Sequence, residues 1–220
     1  MIEIILSGFL FLFIIITLII SERFGYSVIS DLDSDTKLQE INKDPKKFKI
    51  GTTLALIEHG TIIALAIMLF LAFNPYNITL AVIWTIFRIT EGLINFYNKK
   101  NYWGLLNIAR QYSSSSGTEK KSLSELGHNT LKTNNSVFAF AQILFSIGTL
   151  SYSILFATSE AVPVPAIIGW FGIVASIIYG VGNGIILVKP NKAMKIFRVG
   201  LLILIFEVIL GGWLLFHSII

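Results

Sequence analysis

Apolar residues fall into six long runs, at about 4–20, 50–73, 78–97, 137–157, 166–188 and 196–219, separated by polar connections. Each run is long enough to cross a bilayer as a helix, since ~20 residues rising ~1.5 Å each cover ~30 Å of hydrocarbon. Helix is the conformation expected in lipid, because backbone polar groups there must be satisfied within the segment. The pattern predicts an all-α fold, a polytopic membrane bundle of six transmembrane helices in a single transmembrane domain over 1–220. The short Asn74-Pro75-Tyr76-Asn77 link makes helices two and three an antiparallel hairpin, and the Pro163 and Pro165 region closes a second tight link. Longer connections, 21–49 and 98–136, hold most of the polar residues. The first run starts close to Met1 with neither a basic leader nor a small-residue cleavage site, so it reads as a retained helix.

Within the third run, polar residues recur at a helical spacing. Trp84, Arg88, Glu91 and Asn95 follow one another by four, three and four residues and so share one face, with Ile, Val, Leu and Phe over the rest. A guanidinium and a carboxylate inside an apolar span have to face protein or water. Counted from the cytoplasmic end of each helix, Glu58, His59, Arg88, Glu91 and Glu207 lie ~9 to 17 Å deep and can share one layer. One arginine cannot neutralise three carboxylates, so the surplus is available to a proton, a cation or a polar ligand. In a purely structural reading, Arg88 is neutralised by Glu91 and by Glu58 or Glu207, pinning three helices together. Gln142, Ser146, Thr149 and Ser153 share a face of the fourth helix. Gly172, Ser176 and Gly180, with Asn183 beside them, form a small-residue stripe on the fifth that is suited to close helix packing. The candidate ligand- or ion-binding set is Arg88, Glu91, Glu58, Glu207, His59, Asn95, Gln142 and Asn183. Gly200 and Gly211 flank Glu207 and let another helix approach it. The nearly apolar first helix is expected at the lipid-exposed periphery.

Composition changes the picture little. Of the 220 residues 54% are hydrophobic and 14% charged, which fits no ordinary soluble domain. The net charge of +4 is topological: six basic residues fall in 21–49, six in 98–136 and four at 189–198, around the start of the sixth run, with Arg88 the remaining one. The short links and termini have none, which puts the long loops in the cytoplasm and both termini outside a cytoplasmic membrane. The basic residues form no nucleic-acid module. Within 98–136, the serines at 113–116 and Gly117 read as a flexible joint between two amphipathic pieces, 102–110 and 123–131, lying at the membrane surface. Trp103, Trp170 and Trp213 read as interfacial anchors.

Several chemistries are set aside. There is no cysteine, hence no thiolate site. His59, His128 and His217 stand at different depths, against a bis-histidine haem. No HExxH pair, phosphate loop or nucleophile elbow is present, and no metal site or cofactor is assigned. The first functional reading is binding or transport of a small ion or polar solute. The alternative is a structural or accessory subunit docking another membrane protein or a second copy of itself. A lipid-acting enzyme is the third and least favoured.

The segments LALIEHGTIIALAIMLFLAF, IFRITEGLINF, VPAIIGWFGIVAS and FEVILGGWLLF resemble the six-helix membrane proteins of domain-of-unknown-function family 4386. Phe87-Arg88 with Glu91-Gly92, Pro165 with Gly169-Trp170, and Glu207 with Trp213-Leu214-Leu215 carry the resemblance, which covers helices two to six. The longer serine-bearing loop, and Gly127-His128-Asn129 where the family more often has a charged pair, depart from it. The resemblance implies a fold and a set of positions, and no mechanism.

Overall fold

Capping side chains set where several helices begin. In the computed structural model, which describes residues 2–30, 33–189 and 200–216, Asp33 opens α2 (Ser34–Lys43), accepting from the Thr36 amide at 3.2 Å and the Thr36 hydroxyl at 2.7 Å. Asp44 opens α3 (Pro45–Phe73) through the Lys47 amide at 2.9 Å, with Pro45 at the helix start, where its missing N–H costs nothing. Asn77 opens α4 (Ile78–Trp103) through the Leu80 amide at 3.1 Å. The remaining helices are α1 (Ile2–Arg23), α5 (Leu105–Ser114), α6 (Gly117–Thr158), α7 (Ala166–Val188) and α8 (Gly200–Phe216).

Among the described residues, five segments are long and apolar enough to cross a membrane: α1, α3, α4 with α5, α6 and α7. The chain is therefore a multi-pass helical membrane protein. The sixth predicted span is seen as α8, whose 17 described residues cover ~26 Å, short of a full crossing. Its predicted ends at 196–199 and 217–219 lie outside the described residues, as does His217.

The long helices pack in a ring, α1 on α3, α3 on α4, α4 on α6, α6 on α7, α7 on α8 and α8 back on α1. Small residues allow the close crossings. A Cβ on Gly169 would strike the backbone of Phe156 and Ala157, and one on Gly172 would strike Ser153 and the Phe206 ring. The small-residue stripe of α7 is thus spent inside the bundle, against α6 and α8. The core of the ring is an apolar cluster including Phe73, Trp84, Tyr152, Phe156 and Phe206.

Two expectations are corrected. First, α1 is no bystander on the lipid side: it closes the ring between α3 and α8, burying Ser7, Gly8, Phe11, Ile14, Ile15, Thr17 and Ser21. Gly8 makes this possible, since a Cβ there would lie 2.7 Å from the Gly211 carbonyl oxygen and 2.9 Å from the Leu214 carbonyl carbon. Gly211 does admit a neighbouring helix, and that helix is α1.

Second, the polar connections are ordered pieces packed on one another. The piece 123–131 is continuous with the fourth predicted span in α6, which has 42 residues and is about 63 Å long, roughly twice the hydrocarbon thickness. Only Ser115 and Ser116 interrupt helix between α5 and α6, and Gly117, at φ +60°, takes the left-handed turn that other residues disfavour. Leu38, Phe48, Tyr102, Leu105, Tyr112 and Leu131 form a second apolar cluster from α2 to α6. Ser30 and Asn135 exchange hydrogen bonds of 2.9 and 2.8 Å, and Lys37 Nζ donates to the Gly25 carbonyl at 3.1 Å. Burial lowers the pKa of Lys37 below the usual lysine range. A helical face that binds protein rather than lipid has the same amphipathic pattern as one lying on a membrane, which is why the sequence suggested surface pieces.

Candidate functional site

The face of α4 predicted from spacing is the buried one: Trp84, Arg88, Glu91 and Asn95 are all inside the protein. Arg88 is 1% exposed, and its Nη1 donates to Glu91 Oε2 at 2.7 Å. Its guanidinium carbon also lies 4.4 Å from the centre of the Phe145 ring, a favourable cation–π arrangement. Gly148 makes room for the side chain, because a Cβ there would come within 2.8 Å of Arg88 Cγ and 3.1 Å of Cδ. The ion pair joins two residues of one helix, three apart. It does not pin three helices together as the structural reading expected, since neither Glu58 nor Glu207 comes within ion-pair distance of Arg88.

At the centre of the ring is a cavity of about 390 Å³ with walls from α1, α3, α4, α6, α7 and α8. Its polar lining includes Glu58 and His59 from α3, Arg88 and Glu91 from α4, Gln142 from α6 and Glu207 from α8. Much of the remaining wall is apolar, including Ile14, Ile15, Leu18, Ile62, Phe138, Phe145, Ile203 and Leu204. Six of the eight candidate residues therefore face one space. Asn95 is buried outside that lining, one turn along α4, and neither atom of its amide group has a hydrogen-bond partner in the protein. Asn183 also lies off the lining, donating to the Tyr179 carbonyl at 2.9 Å.

The polar wall is under-satisfied by the protein alone. Glu58 Oε2, both imidazole nitrogens of His59 and Arg88 Nε are buried without a protein hydrogen-bond partner. Such groups are costly unless something compensates them. Gln142 and Ser146 belong to the same α6 face, where the Ser146 hydroxyl donates to the Gln142 carbonyl at 2.8 Å. Farther along it, the Tyr152 hydroxyl donates to Thr149 Oγ1 at 3.1 Å. Among the described residues, no three carboxylate or imidazole groups are gathered as a metal ion would require.

A family model described as a domain of unknown function, DUF4386, matches residues 6–217, nearly the whole chain. The chain belongs to the DUF4386 family. No curated protein and no solved structure shows significant similarity to it. All eight candidate residues fall inside the matched DUF4386 region, as does α1 from Leu6 onward, which the resemblance read from sequence had not included.

The sequence reading missed Lys99. Counted there as a loop cation, it is 1% exposed at the end of α4, with Nζ 4.8 Å from the centre of the Tyr26 ring and 3.4 Å from Asn134 Oδ1. Tyr26 separates it from the cavity, and burial raises the pKa of that phenol well above the usual tyrosine range. A signal was available: Asn98, Lys99 and Tyr102 continue the face of Trp84, Arg88, Glu91 and Asn95 by further steps of three and four.

Proposed function

We propose that this DUF4386 protein is a six-span membrane protein that binds, and carries across the bilayer, a small ion or polar solute at Arg88, Glu91, Glu58, Glu207, His59 and Gln142. One observation carries the reading: buried polar atoms of Glu58, His59 and Arg88, without protein partners, line a single central cavity. Arg88 with Glu91 forms a fixed, internally neutral part of the wall, and Glu58 and Glu207 are the carboxylates left for an occupant. The proposed orientation has both termini outside and the long connections in the cytoplasm, following the lysine and arginine distribution, less the buried Lys99. The accessory-subunit reading loses part of its motive, because Gly8, Gly169, Gly172 and Gly211 are engaged in contacts within the chain.

Purified protein in liposomes should show ion or proton flux, or ligand-dependent thermal stabilisation, and Glu207→Gln should abolish it while the fold survives. A variant that changes stability alone, in a protein showing neither flux nor any ligand effect, would count against the proposal.

A further inference from the structure

The cavity has two chemically distinct parts. Glu58, His59, Arg88, Glu91, Gln142 and Glu207 supply most of its polar groups, while isoleucines, leucines and phenylalanines supply much of the rest. A site for a small hydrated ion has little use for so much hydrocarbon. At about 390 Å³, the space lies in the range of small-molecule pockets, which are mostly apolar with a few placed polar groups, and is well over twice the ~150 Å³ apolar cavity that accepts benzene. Two of the wall residues, Ile19 at 47% and Leu201 at 59%, are themselves exposed on the outside of the bundle. The apolar part of the cavity therefore reaches exposed residues of both α1 and α8, on a face that would meet lipid chains.

Charge selects the head group. Arg88 is already matched by Glu91 at 2.7 Å. Lys99 adds a second buried cation behind Tyr26, and Glu58 and Glu207 add two further carboxylates on the wall. The balance is one carboxylate in excess, and Glu22, exposed at the end of α1, adds another at the cavity margin. The unpartnered atoms at Glu58 and His59 include acceptors for N–H donors, Glu58 Oε2 being one with no protein donor. A carboxylate would meet that surplus charge, and a neutral alcohol would forgo the charge-assisted bond.

We infer that the occupant is an amphiphilic amine, its ammonium held by Glu58 and Glu207 and its apolar body lying among the α1, α6 and α8 side chains, with access from the bilayer between α1 and α8. This rests on the ligand-site reading above and specifies the class of ligand.

The test uses the full chain in lipid nanodiscs and one tail with three heads: 4-phenylbutylamine, 4-phenylbutanol and 4-phenylbutyrate, with methylammonium and sodium ions as tail-free probes. Thermal stabilisation is titrated for each, on wild type and on Glu58→Gln and Glu207→Gln, so that one misfolded variant leaves the other readable. The amine should bind at least about tenfold more tightly than the alcohol and the butyrate. That preference should fall to within about threefold in either variant. Equal binding of amine and alcohol, or preference for the butyrate, overturns the head-group assignment. Binding of methylammonium or sodium without 4-phenylbutylamine overturns the amphiphile while leaving an ion site in place. If no probe binds, the inference falls together with the ligand-site reading on which it rests.

Discussion

Arg88 shows how a costly residue is accommodated in an apolar span. Its charge is met by Glu91 one turn along, its guanidinium lies over Phe145, and its methylenes fill the space left by Gly148. A side chain at 148 would have to displace Arg88 near its root, where the ion pair leaves it little freedom. Gly148→Val should destabilise the protein by about 1–3 kcal/mol, as overpacking does. Thermal unfolding in nanodiscs measures this, and a variant as stable as the wild type would show that Gly148 is not needed for the seat of Arg88. The shared face of Trp84, Arg88, Glu91 and Asn95 was legible because helical spacing depends only on residue numbers. Which acid pairs with Arg88 was not, because Glu58, Glu91 and Glu207 stand at similar depths and only the packed rotamers choose. Lys99 was hidden for another reason: a lysine doublet after an apolar run reads as the end of a span, whereas α4 continues to Trp103.

Among the helices, apolar length is the readable quantity and lateral placement is not. Five of the six apolar runs lie in helices long enough to span, because lipid imposes a minimum length, but nothing in the sequence of α1 says which neighbours it joins. Its contact with α8 depends on backbone approach at Gly8 and Gly211. Gly8→Ala should therefore lower stability by about 1–3 kcal/mol, whereas Gly60→Ala, where an added Cβ meets nothing within 4 Å, should leave it unchanged or slightly raised. Paired melting curves check the contrast, and equal effects at both positions would mean that α1 and α8 do not cross closely. Helix α2 and the first turns of α6 were harder to foresee, since their apolar residues are few and answer to one another rather than to lipid.

The whole molecule is a ring of helices around a partly polar cavity, with a layer of helical connections at one end. The proposed orientation rests on the basic residues, and the absence of native cysteine makes it directly measurable. A cysteine at Ser115 should be labelled by a membrane-impermeant maleimide only from the cytoplasmic side, and one at Tyr76 only from the outside; the reverse pattern, or both on one side, would contradict the proposed topology. The cavity itself was legible only as a shared depth, because that six helices close around it depends on which surfaces pack together. Its carboxylates can be probed with dicyclohexylcarbodiimide, an apolar reagent that enters from the bilayer and modifies protonated carboxyl groups, with the adducts mapped by peptide mass spectrometry. If Glu58 and Glu207 line a space reached from the membrane, adducts should form on one or both while Glu91, held by Arg88, is spared; adducts confined to carboxylates outside the cavity would contradict it.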